Sequence, residues 1–412
     1  MHISSPKNHT DKIHGADTMK RLSNILGFKY LRRQRILTLT IIVALSSMLF
    51  AMTALTLLGF YRGFTAYLGE GEDIVVVYDR KSRTPFTGLV PAYLSERISN
   101  LNGVLTASPE AMAPCTIKGV ALFLRGIMPE EFTKLNPLTM VEGEIIKLDE
   151  ANSAMVGIRA AKRLNIKLGE KILALGVLTD KCQELHVKGI FASNSPLDDE
   201  ILTPLYVGQW LRGAGYGYVT LIRFKIDKTL ITPSRIFEEI AQEAAQPAPP
   251  PGQEPQPPSI TPRIIIRFNI ESIGVDEAYN FMKGYLDRYG ATRESLLVLS
   301  AAVFLFSSLG ITAASKTLIA QHKGEINVLR SLGASKRLLK RDLLLKLLPW
   351  TIMASLTGIT LAVAVLKVIQ EQGYLQVLFH AVPIQIDPFV IALNLSLIFI
   401  LSSLSILRSE IE

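Results

Sequence analysis

Of the 412 residues, 49% are hydrophobic and only 19% are charged, against about one quarter charged in an ordinary soluble chain. The apolar excess is gathered into a few long runs, which excludes an ordinary soluble enzyme and points to a membrane chain. The net charge of +8 clusters beside those runs, so membrane topology accounts for it and no nucleic acid is needed as a partner.

In chain order, residues 1–18 are polar and read as a disordered tail. From Lys20 to Arg35, apolar Leu22, Ile25, Leu26 and Leu31 recur among basic residues. That pattern predicts an amphipathic helix on the inner membrane face, so that 1–35 form a cytoplasmic tail and pre-helix. Residues 36–60 carry no charge and are long enough to cross roughly 30 Å of hydrocarbon as a helix. The run exceeds a usual signal-peptide core and no small-x-small cleavage site follows, so it reads as a retained signal anchor.

Residues 61–290 mix strands and helices without strict βαβ alternation, which predicts an α+β domain. Ile74 to Tyr78 is a β-branched strand, and Leu94, Ile98 and Leu101 lie at helical spacing. "SAMVGIRAAKRLNIKLGEKI" reads as strand, helix, turn and strand, with Asn165 and Gly169 at the turns. Residues 247–258, "PAPPPGQEPQPP", predict an extended polyproline spacer. "RIIIRFNI" then reads as a returning strand, and "VDEAYNFMKGYLDRYGATRESL" as a helix leading into the second span.

Three more uncharged runs follow, 295–315, 347–366 and 388–407. Lys323, Arg330, Lys336, Arg337, Lys340, Arg341 and Lys346 fill the 316–346 loop, whereas Lys367 alone is basic in 367–387. The positive-inside rule therefore places both termini and the 316–346 loop in the cytoplasm, with 61–290 and 367–387 outside.

The 316–346 loop is patterned. In "HKGEINVLRSLGASKRLLKRD", Ile326, Leu329 and Leu332 share a helical face. Gly333 suits the left-handed position that stops a helix, and Ser335 can cap the next. Such a helix predicts an apolar face for a groove on a cytoplasmic protein; the alternative is membrane-surface anchoring by its Lys and Arg side chains.

Catalytic signatures are missing. Gly310 to Thr317, "GITAASKT", has Ser315 where a phosphate loop needs its second glycine. No GxSxG or HExxH occurs, the histidines are scattered, and Asp198, Asp199 and Glu200 read as a solvated external turn. Cys115 and Cys182 both lie in the external segment and could pair there or be two buried thiols. No catalytic, cofactor-binding or metal-binding residue is therefore expected.

The loop resembles that of the FtsX-like, MacB-type permeases, the transmembrane subunits of type VII ABC transporters, whose pattern is roughly R-E-I-x-V-L-R-x-[LV]-G-A-[ST]. Here it stands as Gly324, Glu325, Ile326, Asn327, Val328, Leu329, Arg330, Ser331, Leu332, Gly333, Ala334 and Ser335, with Gly324 in place of the usual Arg. "FLRGIMPEEFTKLNPLTMVEGEI" resembles the family's external-domain turn and helix. The resemblance implies a coupling helix at Glu325, Ile326, Val328, Leu329, Arg330, Leu332, Gly333, Ala334 and Ser335 that enters a groove on a cytoplasmic ABC ATPase. It also implies that ATP and Mg bind to that separate chain, that a second permease copy or paralogue completes a dimer in the lipid, and that hydrolysis does work outside the cell by mechanotransmission, with an extracytoplasmic partner or an exported substrate. A membrane-anchored receptor or scaffold with no ATPase is the alternative.

Overall fold

A computed structural model of the chain describes residues 33–69, 71–244, 272–384 and 386–408. Residues 20–32 of the predicted pre-helix, the Pro-rich stretch 247–258 and the strand expected over 263–270 lie outside the described residues.

The first helix, α1, runs Arg33–Thr65, followed by β1 (Ile74–Asp79), β2 (Val90–Pro91), α2 (Tyr93–Ser99), β3 (Val104–Ile117) and β4 (Val120–Ile127). Next come α3 (Pro129–Leu135), β5 (Thr139–Gly143), β6 (Ser153–Gly157), α4 (Ile158–Leu164), β7 (Lys171–Gly176) and β8 (Cys182–Ala192). A 3-10 turn over Pro196–Asp199 precedes β9 (Ile201–Pro204), α5 (Leu205–Arg212), β10 (Tyr218–Val219), β11 (Leu221–Ile226) and α6 (Pro233–Ala244). The chain continues with β12 (Ile273–Glu277), α7 (Ala278–Arg288), α8 (Arg293–Gln321), α9 (Lys323–Ser331) and α10 (Lys336–Glu371). It ends with β13 (Gln376–Val377), β14 (His380–Ala381) and α11 (Pro388–Arg408). Val275 to Glu277, expected to open a helix, instead complete β12, where Val275, Asp276 and Glu277 pair with β1.

Internal packing divides the chain into a helical unit, residues 1–59, 293–372 and 384–412, and an inserted unit, residues 60–292 and 373–383. Among the described residues, the helical unit has four helices long and apolar enough to cross a membrane, over Ile36–Thr65, Arg293–Gln321, Lys336–Glu371 and Pro388–Arg408. Lipid tails are as apolar as leucine, so close packing and polar contacts must join the helices. Gly358 on α10 supplies the first: a Cβ there would sit 2.3 Å from the Ala44 carbonyl oxygen of α1. The second is a buried polar trio. Ser47 Oγ lies 2.9 Å from the Ser355 carbonyl oxygen and 3.2 Å from Asn394 Oδ1, and Asn394 Nδ2 donates to the Ser47 carbonyl oxygen at 3.1 Å.

The inserted unit is built on β3, whose 14 residues serve two sheets. Its first part pairs with β11, from Val104↔Ile226 to Glu110↔Leu221, in an antiparallel sheet ordered β12-β1-β11-β3. The alternation of β1 fills both faces of that sheet. Val75 and Val77 pack with Leu94, Ile98 and Ile236 beneath α2 and α6, while Ile74 and Val76 pack with Phe281 and Met282 of α7. The second part of β3 pairs with β4 and also with β7, and the ladders β4–β9, β9–β6, β6–β8 and β8–β7 close a ring. Its interior holds Cys115, Leu122, Val156, Ile172, Leu185 and Ile201, all buried. This is the mixed strand–helix domain expected between the first and second spans.

Candidate functional site

α9 lies between two spans and both of its ends are built. At its start His322 is buried, and its Nδ1–H donates to the Leu318 carbonyl oxygen at 2.8 Å. At its end the Gly333 amide donates to the Arg330 carbonyl at 2.9 Å and the Ala334 amide to the Leu329 carbonyl at 3.1 Å. That pair of bonds is a Schellman cap, with Gly333 at φ +96°. Two residues later the Ser335 Oγ accepts from the Leu338 amide at 3.3 Å and opens α10. The stop signal at Gly333 thus ends α9, and the cap at Ser335 starts α10.

The expected docking face is divided differently. Ile326 is only 3% exposed and packs with Leu339, Leu343, Leu318 and Ile319 of the helical unit; half-buried Leu329 and Ala334 pack against the same cluster. The apolar stripe of so short a helix is taken first by its own bundle, because that burial accompanies folding at no association cost. Val328 and Leu332 are 60% and 64% exposed and lie one turn apart on the same side of α9. Glu325 and Arg330 are half-buried, and Lys336 and Arg337 are exposed just beyond. Of the Ile326, Leu329 and Leu332 face read from spacing, only Leu332 is free to meet another protein.

Asp198, Asp199 and Glu200 are not a solvated turn. They are 3%, 2% and 0% exposed. Asp198 and Asp199 hold Arg159, at 3.2 and 2.9 Å, and Asp199 also meets Arg163 at 3.3 Å. Glu200 accepts from Arg125 Nε at 2.7 Å and from the His380 Nε2–H at 2.8 Å, and it also accepts from the Tyr67 hydroxyl. Arg125 reaches Glu110 at 2.6 Å, and Glu110 accepts from Arg223 Nε at 2.5 Å. Two arginines and two glutamates are thereby balanced in a dry interior, which is the condition under which buried charges are tolerated. The Phe132 ring lies 5.3 Å below the Arg223 guanidinium and 5.9 Å from that of Arg125. Burial alone would raise the Glu200 pKa; the Arg125 charge and the hydrogen bonds from His380 and Arg125 outweigh it and hold the carboxyl down to about 2. Desolvation pushes the Tyr67 phenol up. Glu110, Arg125 and Glu200 have no exposed surface, so the charges of this cluster are met by one another inside the inserted unit.

His380 comes from the connection expected as a short external loop over 367–387. Residues 373–383 pack within the inserted unit. There β13 and β14 form a hairpin, Gln376↔Ala381 and Val377↔His380, around Leu378 at φ +50° and Phe379 at φ +69°. Such a turn ordinarily takes Asn-Gly; Leu and Phe in it cost about 1–3 kcal/mol each.

Cys115 and Cys182 are both free thiols, the first buried and the second exposed. Neither alternative read from the sequence describes them. Cys115 stands opposite Gly176 on β7, and Cys182 opposite Leu175 on the far side of that strand. Two strand spacings, about 9.6 Å, exceed the reach of a disulfide. Burial pushes the Cys115 thiol up to about 12.

Among the comparisons with known proteins, residues 297–411 match the family model described as FtsX-like permease C-terminal. The periplasmic region of MacB from Actinobacillus actinomycetemcomitans is similar in structure, with 11% identity, a TM-score of 0.35, and coverage of 52% of this chain and 92% of that one. So is the extracellular domain of the noncanonic ABC-type transporter YknZ from Gram-positive bacteria, at 14% identity and a TM-score of 0.32, covering 41% of this chain and 94% of that one. No curated protein matches the chain.

Proposed function

We propose that this chain, whose residues 297–411 match the FtsX-like permease C-terminal model, is the transmembrane subunit of an ABC transporter. ATP and Mg belong to a separate cytoplasmic ATPase, which docks on α9. A second permease, a copy or a paralogue, brings a second α9 to the ATPase pair. The basic residues beside the spans support a topology with both termini and α9 in the cytoplasm and the inserted unit outside. Closure of the ATPases on ATP then moves the helices and performs work on the outer side, such as export or extrusion of lipid, lipoprotein or peptide.

The observation that carries this reading is α9 itself. It ends in the Schellman cap at Gly333 and is anchored by Ile326, yet it leaves Val328 and Leu332 exposed, with exposed Lys336 and Arg337 just beyond in the chain. Exposed apolar side chains a turn apart with flanking charge suit a groove on another protein. The test separates docking from folding. Val328→Asp with Leu332→Asp should abolish co-purification of the ABC ATPase while the permease stays in the membrane at wild-type yield. Retained ATPase in that double variant would contradict the reading.

A further inference from the structure

Among the described residues the hairpin 376–381 belongs to no larger sheet: β13 and β14 pair only with each other. A lone two-stranded hairpin is marginal at best in water, and this one carries a turn with two non-glycine residues at positive φ. Its shape is therefore imposed by its seat. The His380 ring stacks on Phe123 at 5.7 Å and 12°, meets Tyr67 edge-on at 4.9 Å, and donates to Glu200 at 2.8 Å. The Ala381 amide donates to Asp199 Oδ2 at 3.0 Å, and Phe379 packs edge-on against Phe123 at 5.5 Å. Pro383 closes the seat against Gly63, where a Cβ would come within 2.5 Å of the Pro383 ring. The segment is continuous at one end with α10 and at the other with α11.

We propose that the connection between the third and fourth spans is a releasable strap, which docks and undocks from the inserted unit as its own cooperative element with His380 as the key that Glu200 holds. Strained backbone at Leu378 and Phe379 favours release, and the satisfied Glu200 carboxylate favours seating. The two oppose each other, as a bistable element requires. Movement of α10 or α11 then pulls directly on a carboxylate shared by Arg125 and Tyr67. Only the source of that pull rests on the permease reading; the strap itself does not.

Hydrogen exchange on the full chain in detergent micelles tests it, with peptides covering 374–383 set against β3 and β4. In the wild type, the Ala381 and Val382 amides should exchange at least ~10-fold slower than a free chain and at least ~10-fold faster than β3 and β4, the mark of local opening. His380→Ala should bring the strap close to free-chain exchange and leave β3 and β4 within about two-fold. His380→Gln, which keeps a donor, should fall between. Leu378→Asn, which tolerates the left-handed turn, should slow strap exchange several-fold. Equal loss of protection in strap and strands, or no change in the strap, would overturn the proposal. Should His380→Ala fail to fold, a strap unslowed by Leu378→Asn overturns it equally. No arm needs an ATPase, so this result and the docking test fail separately.

Discussion

Glu200 shows how much one side chain can be asked to hold. It is fully buried, yet Arg125, His380 and Tyr67 all direct hydrogen bonds at it. Its pKa falls from the ordinary 4.5 to about 2. A carboxyl lowered on folding stabilises the fold above its unfolded pKa, and that contribution is lost as pH falls through the folded value. The inserted unit should therefore lose stability as pH drops from about 4.5 towards 2. Glu200→Gln should remove about one proton from that dependence. At neutral pH it should cost about 3–5 kcal/mol, because Arg125 is left with one buried carboxylate fewer. Trp210 fluorescence during denaturation, on a Trp350→Phe background, reads the inserted unit alone. An unchanged acid slope would show that Glu200 is not the group responsible.

At the scale of elements, α9 is defined by where it stops. Nothing lies within 4 Å of a Cβ built on Gly333, whose φ is +96°. Gly333→Ala is thus a clean conformational test, expected to cost about 1–2 kcal/mol in the left-handed region. Amide exchange at Gly333 and Ala334 should quicken by about ten-fold while that of the spans holds; unchanged exchange would mean the cap does not set the helix end. These ends were legible in "LGAS" because capping is local chemistry. The burial of Ile326 was not, since spacing marks an apolar face without saying which neighbour covers it. Glu110, Arg125 and Arg223 were missed for a related reason. Each sits inside an apolar strand, in "SPEAMAP", "LFLRGI" and "LIRFKI", and a charge at an inward strand position was the available signal. Asp198, Asp199 and Glu200 looked solvated because their partners lie far along the chain.

Over the whole molecule, four long helices and one inserted strand–helix domain were legible, because membrane spans announce themselves by length and hydropathy. The closed ring of strands sharing β3 was not, since it rests on pairings between distant segments. Nor was the return of 373–383 into the inserted unit, which makes α10 and α11 as well as α1 and α8 continuous with that unit. The chain passes four times between the helical unit, which holds the four candidate spans among the described residues, and the inserted unit. The proposed function stands or falls on an ATPase docking on α9. A photo-cross-linking amino acid placed at Val328 of the full chain, activated in native membranes and followed by mass spectrometry, tests it most directly. The account predicts a cross-link to an ABC ATPase that disappears when Leu332→Asp is added. Cross-links to lipid alone, or an ATPase adduct indifferent to Leu332→Asp, would contradict it.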